Sequence, residues 1–382
     1  MHSSPDMSSE RNNSIQRIFQ RFYIPSADEY QWNSSQTKAA HAIMMCRTAE
    51  LGGHVDVCDN CGHVEISYNS CRNRHCPLCG GLEKEKWIAR NVRSIVNTRH
   101  YHVVFTIPAI LHPMAMANRE VFYNAMFTAS AEAVKSLCAD KKILGAMPGF
   151  TSVLHTWGQQ LAYHPHIHMV LSAGGFANGR WKDKVKKKIF IPVRALSSSF
   201  RGRLVSRLRK AYENGDLRFD DEKFSSMLDS VMDRDWVVYC KEPFRDNAGV
   251  YEYLGRYTHR TAISNDRIVS IEEDGVTFSY RDYADSNRRK TRKVSGKEFI
   301  RLFMLHVLKP GFMRIRHYGI YASACRNDKL LDCLCQTLTV PPKTKIDPLA
   351  STADIILQLT GRDIRRCPCC GSLLQARASP LK

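Results

Sequence analysis

Apolar residues recur along this chain at two spacings, and the spacing predicts where helices and strands lie. Between residues 15 and 51 they follow the period of a helix, with Ile18, Phe19 and Phe22 on one face. The same period predicts helices over 83–96 and 119–139. The pattern therefore begins helical, and strands are expected only further along the chain.

Runs of β-branched and aromatic residues predict the strands. One such run, "YHVVFTI", is followed by a proline, and another, "YHPHIHMVL", by Gly174 and Gly175, where we expect that strand to end. Alternating runs on both sides of Asp274-Gly275 predict a β-hairpin. Such runs predict strands over 101–107, 150–158, 163–171 and 235–243. This mixture of helices and strands predicts an α+β fold.

The charge of the chain indicates its partner. Of 382 residues, 56 are Lys or Arg and 37 are Asp or Glu, a net charge of +19. Such an excess favours binding to a polyanion, most commonly nucleic acid. We find no apolar stretch long enough to span a membrane and no signal peptide, and the polar residues 1–14 are predicted to be a disordered tail.

Fourteen cysteines without a secretory signal favour metal binding over disulfides. Two Cys-x-x-Cys pairs lie close together in the sequence and are predicted to bind one structural Zn²⁺ with four thiolates. A second zinc nearby is left open, because its four candidate ligands also suit buried or turn positions. The first set is Cys58, Cys61, Cys76 and Cys79, and the second is Cys46, His54, Cys71 and His75.

A third pair, Cys367 and Cys370, resembles half of a zinc ribbon. Its partners would be Cys325, Cys333 or Cys335, but no second Cys-x-x-Cys pair lies in that part of the sequence. A zinc ion at this end is therefore also left open.

Three histidines alternate in the strand predicted over 163–171. His164, His166 and His168 would share one face, because side chains two residues apart in a strand point the same way. His166 and His168 are the pair we expect to bind a divalent ion, with His164, Gln159 or His155 as third ligand. The alternative is that they are ordinary surface or core histidines.

Two tyrosines in "EYLGRYTHR" provide a candidate nucleophile. Tyr253 and Tyr257 are four residues apart and would lie on one face of a helix. They could simply pack on a sheet. If a cation polarises a phosphate beside them, either hydroxyl could displace one DNA end and keep the other as a phosphotyrosine ester.

In the order of these motifs, the chain resembles two-tyrosine rolling-circle transposases of bacterial insertion sequences, within the HUH superfamily of single-strand endonucleases. The matching blocks are a cysteine-rich module, a histidine block, a tyrosine block and two C-terminal segments. They cover 46–80, 155–175, 253–264, 315–323 and 367–371.

The resemblance implies a five-stranded antiparallel sheet flanked by helices, an N-terminal module of helices and zinc knuckles, and a cysteine-bearing C-terminal tail. It implies Mg²⁺ or Mn²⁺ at His166 and His168, structural Zn²⁺, and Tyr253 and Tyr257 as nucleophiles on single-stranded DNA at transposon ends and on target DNA. The expected domains are a zinc-binding DNA-docking module (15–96), a nuclease domain (97–325) with a basic insertion (177–230), and a C-terminal segment (326–382).

Basic residues near these blocks are candidate DNA contacts, although a charge run is often only a solvated face. They are Arg72, Arg74, Lys186, Lys187, Arg203, Arg207, Arg256, Arg288, Arg289 and Arg292.

The resemblance also implies a cytoplasmic, nucleoid-associated bacterial protein. No oligomeric state is predicted, and a monomer is compatible with the sequence. Two other functions compete: a plasmid replication initiator or relaxase with the same nuclease core, and a zinc-dependent DNA-binding protein without catalysis.

Overall fold

Helices surround the sheets in this computed structural model, which describes residues 14–91, 96, 98–183, 191–241, 250, 255, 261–326, 347 and 349–381. Within these ranges no helix is both long enough and apolar enough to cross a membrane. The helices are α1 Ser14–Ala27, α2 Ser34–Met45, α3 Pro77–Asn91, α4 His112–Ala117, α5 Arg119–Ala139, α6 Val193–Glu213, α7 Asp221–Met232, α8 Gly296–Met304, α9 Ser323–Arg326 and α10 Thr352–Thr360.

The strands form three antiparallel sheets. The largest has the order β11-β4-β5-β3-β7, with β6 beside β5, and the two others have the orders β10-β9-β8 and β12-β1-β2. The α+β fold with an antiparallel sheet is thus confirmed, but the large sheet has six strands in the described residues, where five were expected. The strands are β1 Gly53–Val57, β2 Val64–Tyr68, β3 His100–Thr106, β4 Met147–Trp157, β5 Tyr163–Ala177, β6 Arg180–Asp183, β7 Val238–Lys241, β8 Ile268–Ile271, β9 Gly275–Asp282, β10 Arg288–Ser295, β11 Ile315–Gly319 and β12 Gln375–Leu381.

The large sheet has two chemically different faces because its side chains alternate. Phe105, Phe150 and Ile167 belong to a fully buried core that also contains apolar residues of α5 and α6. The opposite face carries the histidines of β5. Helices α5 and α6 therefore cover one face of the sheet, whereas on the histidine face Val170 packs against Val250 and Tyr321.

Strand β5 continues beyond Gly174 and Gly175, where the sequence predicted its end. These glycines pair with Asp183 and Lys182 of β6. A Cβ on Gly174 would lie 2.6 Å from the Lys182 carbonyl oxygen, and one on Gly175 would lie 2.6 Å from the Met147 carbonyl oxygen. The glycines permit close backbone approach within the sheet, so here they do not end the strand.

The predicted basic insertion at 177–230 contains two helices of the core. In α6 the residues Leu196, Phe200, Leu204 and Leu208 are fully buried. Their spacing of four places them on one face, packed against the large sheet and α5. The basic side chains occupy the rest of the helix. This segment is therefore part of the sheet's packing.

The helices α1 and α2 share a second core with β9 and α8. The Phe19 and Phe303 rings meet edge to face at 5.0 Å. Gly296, the first residue of α8, lies so close to Phe22 that a Cβ there would be 2.2 Å from its ring. The N-terminal helices thus pack directly against residues from the C-terminal half of the chain.

Candidate active site and metal centres

The register of the large sheet brings histidines from two strands together. In the antiparallel pair β4–β5, His155 lies directly opposite His166. His168 lies on the same face of β5, two residues further along, opposite Val104 of β3. One candidate site therefore combines one histidine of β4 with two of β5.

Distances within this group suit a metal ion. One ring nitrogen from each of His155, His166 and His168 lies within 4.8 Å of the other two. The Nε2 atoms of His166 and His168 are 3.0 Å apart. Two nitrogens bound at right angles around an ion with 2.1 Å bonds would be separated by about 3.0 Å. The three side chains already have the spacing of ligands.

Hydrogen bonds at the outer nitrogens orient these rings. His166 Nδ1 donates to the His164 carbonyl oxygen at 2.6 Å, which leaves the Nε2 lone pair of the neutral ring facing the site. His168 Nδ1 is 3.0 Å from His102 Nε2, so His102 orients the His168 ring by a contact on the side away from His166. Burial lowers the pKa of His166 to about 4, which keeps the imidazole neutral and able to bind a cation at pH 7.

The third histidine of this group is not one of two residues predicted as third ligand, His164 and Gln159. His164 is absent from the group, and its carbonyl group positions His166 instead. The Gln159 amide nitrogen donates to the Tyr283 hydroxyl at 2.9 Å, so this side chain is engaged elsewhere. His155, which the sequence analysis left as an alternative, takes the place because β4 pairs with β5 in this register.

The predicted nucleophiles Tyr253 and Tyr257, like Arg256, lie outside the described residues. Two described neighbours bracket Tyr253. Val250 is buried in an apolar cluster with Val170, which follows His168 by two residues on the same face of β5. Gly255 is helical, and a Cβ on it would lie 2.3 Å from Ile88 Cδ1 of α3. A larger residue at this position would therefore displace the Ile88 side chain.

The cysteines form two four-thiolate groups, and this corrects the predicted single site. Cys58 and Cys61 lie with Cys367 and Cys370, whereas Cys76 and Cys79 lie with Cys46 and Cys71. Cys58 and Cys61 follow the end of β1, and this places them beside Cys367 and Cys370. The second pair lies at the start of α3, beside the end of α2. The two Cys-x-x-Cys pairs are close in sequence, but they belong to different groups in the structure.

The group of Cys46, Cys71, Cys76 and Cys79, called the inner cluster here, lies in the second core. Its Sγ atoms approach closely, with Cys46 and Cys71 each 3.6 Å from Cys79. His75 is not a member: its Nε2 accepts a hydrogen bond from the Leu308 amide at 3.3 Å. His54 is outside as well, 3.4 Å from the Asp56 carboxylate.

Four thiolates at tetrahedral spacing are the donor set that Zn²⁺ prefers in structural sites. Two sulfurs bound to one zinc ion would be about 3.8 Å apart, given bonds of 2.3 Å. Both groups are close to that spacing, since all ligand atoms in each lie within 4.8 Å. Each group therefore fits one zinc ion without any further ligand.

Several predicted DNA contacts have partners inside the protein. Arg203 and Arg207 of α6 both pair with Glu132 of α5. The guanidinium group of Arg74 donates to the Phe312 and Lys309 carbonyl oxygens, and burial lowers its pKa. These three arginines connect elements of the fold, which accounts for their position without DNA.

The remaining candidates lie on or near the surface. Arg72 is exposed. Arg288 is 3.7 Å from Asp285, Arg289 donates to the Ser279 hydroxyl, and Arg292 donates to the Gln160 carbonyl oxygen in the β4–β5 turn. Strand β10 thus contacts the turn that joins β4 and β5, the two strands that carry the histidines. Lys186 and Lys187 lie outside the described residues.

Family models and curated proteins match most of this chain. A family model described as a putative transposase matches residues 149–329, and one described as a transposase zinc-binding domain matches residues 18–107. The "Putative transposase y4qJ" of Sinorhizobium fredii (strain NBRC 101917 / NGR234) is 42% identical over 92% of each chain. The "Transposase for insertion sequence element IS801" of Pseudomonas savastanoi pv. phaseolicola is 25% identical over 86% of this chain and 80% of its own length. No solved structure matches.

Proposed function

The chain belongs to the family of IS801-type insertion-sequence transposases, and we propose that it cleaves and rejoins single-stranded DNA through tyrosine esters. The observation that carries this proposal is the histidine group on the face of the large sheet opposite the α5–α6 core, with Val250 buried against Val170, two residues beyond His168. Because family members are transposases, transposition is favoured over plasmid replication initiation.

The ion is proposed to bind at His155, His166 and His168. When bound, a divalent cation would polarise the scissile phosphate and offset its developing charge. Three imidazole nitrogens without a carboxylate favour Mn²⁺ over Mg²⁺, which prefers oxygen ligands. Three protein ligands also leave positions open for phosphate oxygens, as an active site requires.

Tyr253 and Tyr257 are proposed as the attacking groups. The phenolic oxygen of one tyrosine would attack the phosphorus, its proton would leave to solvent, and the bond to the 3′ oxygen would break. The products would be a 5′-phosphotyrosine and a free 3′ hydroxyl group. The reverse attack by a 3′ hydroxyl would rejoin DNA without any nucleotide triphosphate, and a second tyrosine would allow two successive cleavages.

The DNA strand is proposed to cross the sheet toward β7. Tyr239 lies opposite Val104, which itself lies opposite His168, so the three side chains occupy one row on one face. Tyr239 is 54% exposed, Val237 is 51% exposed, and Lys241 is also at the surface. Two strand spacings, about 10 Å, separate Tyr239 from His168. An exposed aromatic ring with a cation beside it suits base stacking.

A covalent-adduct assay tests the proposal. Single-stranded DNA from the element's end, labelled at its 3′ end, is incubated with the protein and Mn²⁺, and the products are separated under denaturing conditions. We expect a labelled protein–DNA adduct with the natural chain and with the control variant Tyr251→Phe, but none with Tyr253→Phe combined with Tyr257→Phe. An adduct that persists in the double variant would refute the tyrosine mechanism.

A further inference from the structure

We propose that Cys58, Cys61, Cys367 and Cys370 bind one Zn²⁺ ion jointly, so that two segments more than 300 residues apart form a single zinc ribbon, called the split ribbon here. The zinc-binding family model ends at residue 107, well before the second pair. The proposal concerns how the protein is held together and does not depend on its catalytic function.

The sulfur positions are the first argument. Cys58 Sγ is 3.4 Å from Cys370 Sγ, and Cys61 Sγ is 3.5 Å from Cys367 Sγ. Each short distance therefore joins one cysteine of the first pair to one of the second. Neither pair alone provides four ligands, and Zn²⁺ in a structural site takes four.

The backbone of the two pairs is the second argument, because they have the same conformation. The Gly62 amide donates to the Cys58 carbonyl oxygen at 2.8 Å, and the Gly371 amide donates to the Cys367 carbonyl oxygen at 3.0 Å. The two glycines have φ values of +74° and +75°, with open space where a Cβ would be. Glycine is needed for the turn itself, and each turn directs both sulfurs of its pair toward one point.

Each turn also closes onto the strand that follows. The Cys58 amide donates to the His63 carbonyl oxygen, and the Cys367 amide donates to the Ser372 carbonyl oxygen, both at 2.8 Å. These are two copies of one local structure facing each other. A zinc ribbon is built from two such knuckles.

The third argument is the sheet beneath the knuckles. Strand β12 pairs with β1 from Val57 and Gln375 to Gly53 and Leu381. On its other side β1 pairs with β2, from Val57 and Val64 to Gly53 and Tyr68. Strand β1 thus ends, and β2 and β12 begin, beside the four sulfurs, and the proposed ion would fix the register of β12 on β1.

Cys369 provides a matched control inside the same knuckle. It is exposed and lies between two proposed ligands, but it is not in the four-sulfur group. Its Sγ is instead 3.5 Å from His63 Nδ1. A cysteine in this knuckle can therefore be removed without touching the proposed ligand set.

Zinc content in the full chain tests the proposal. A His166→Ala, His168→Ala background removes the contribution of the histidine site. In that background we expect two zinc ions per chain by elemental analysis, one after Cys367→Ser with Cys370→Ser, and two after Cys369→Ser. Retention of both ions in the first variant, or loss of one in the second, would overturn the assignment.

The combination of all four changes separates a shared ion from two independent ones. If Cys58, Cys61, Cys367 and Cys370 hold one ion together, the quadruple serine variant loses no more zinc than either double variant. Loss of a further ion would show two separate sites. Because the inner cluster remains in all variants, its retained zinc also reports that the protein still folds.

Discussion

The thiolate clusters and the histidine group differ in how much of a metal ion's surroundings the protein itself provides. Each cysteine group offers four donors, whereas the histidine group offers three. A four-coordinate site is closed to substrate, and an incomplete one can accept a phosphate oxygen. The number of side-chain donors therefore distinguishes groups suited to a closed structural ion from a group that would leave positions open to substrate.

The largest expected effect is at the inner cluster. Cys76→Ser combined with Cys79→Ser would remove its zinc and leave polar groups in the core that contains α1 and α8. We expect the free energy of unfolding to fall by about 5 kcal/mol or more, with loss of cooperative unfolding in urea. Cys369→Ser is the control with no change. A stable double variant would mean that this centre is dispensable for folding.

Changes at the histidine group should affect reaction far more than stability. His155→Ala should lower Mn²⁺ affinity and reduce DNA cleavage about 10³-fold, equivalent to about 4 kcal/mol in the activation barrier. His164→Ala should retain Mn²⁺ binding, because only its carbonyl group supports the site. Calorimetric titration with Mn²⁺ measures the affinity of each variant for the ion. The opposite ranking of the two variants would move the third ligand back to His164.

His306 is a buried histidine outside the three candidate metal groups, and we expect it to make stability depend on pH. Burial lowers the pKa of His306 to about 4, while its ordinary value is 6.5. Between these values the unfolded chain binds a proton that the folded chain does not, so stability falls as the pH drops through this range. The expected loss at pH 5 is about 2 kcal/mol.

His306→Gln tests the origin of that loss. Nε2 of His306 donates to the Leu161 carbonyl oxygen at 3.0 Å, and a glutamine amide can also donate there. Urea unfolding at pH 7 and pH 5 should show a smaller difference for the variant than for the natural chain. An equal difference would assign the acid sensitivity to other groups.

The smallest expected effect is on DNA affinity at the edge of the histidine face. Tyr239→Ala should weaken binding of single-stranded DNA about tenfold, because one stacked base contributes about 1–3 kcal/mol. Tyr239→Phe keeps the ring and should bind normally, and neither change should alter metal content. Fluorescence anisotropy with a labelled oligonucleotide measures the affinities. Equal weakening by both variants would exclude stacking.

Much of the fold followed from local sequence patterns. The predicted helix over 119–139 coincides with α5, and the predicted strands correspond to β3, β4, β5 and β7. Helix α6 was missed because its basic residues concealed four apolar positions spaced by four. The glycines of β5 were misinterpreted because the sequence alone does not show that another backbone passes beside them.

The site residues that are close together in sequence could be predicted. His166 and His168 share a strand face for reasons of geometry alone, and the structure brings them together as expected. His155 depended on the register between β4 and β5, which one sequence does not determine. The predicted grouping of the cysteines was wrong for a similar reason. Cys58 and Cys370 are separated by 312 positions, and no rule of sequence spacing relates residues so far apart.

The pairing of β12 with β1 has a consequence for how the protein is made. The hairpin of β1 and β2 leaves the ribosome early, whereas β12 and the second pair of proposed sulfur ligands are translated only after residue 366. Until then β12 is not available to pair with β1, and the thiols of Cys58 and Cys61 lack the second pair of cysteines. A message interrupted by a premature stop codon would therefore yield a product with an unfinished N-terminal hairpin, even though every codon of that hairpin had been translated.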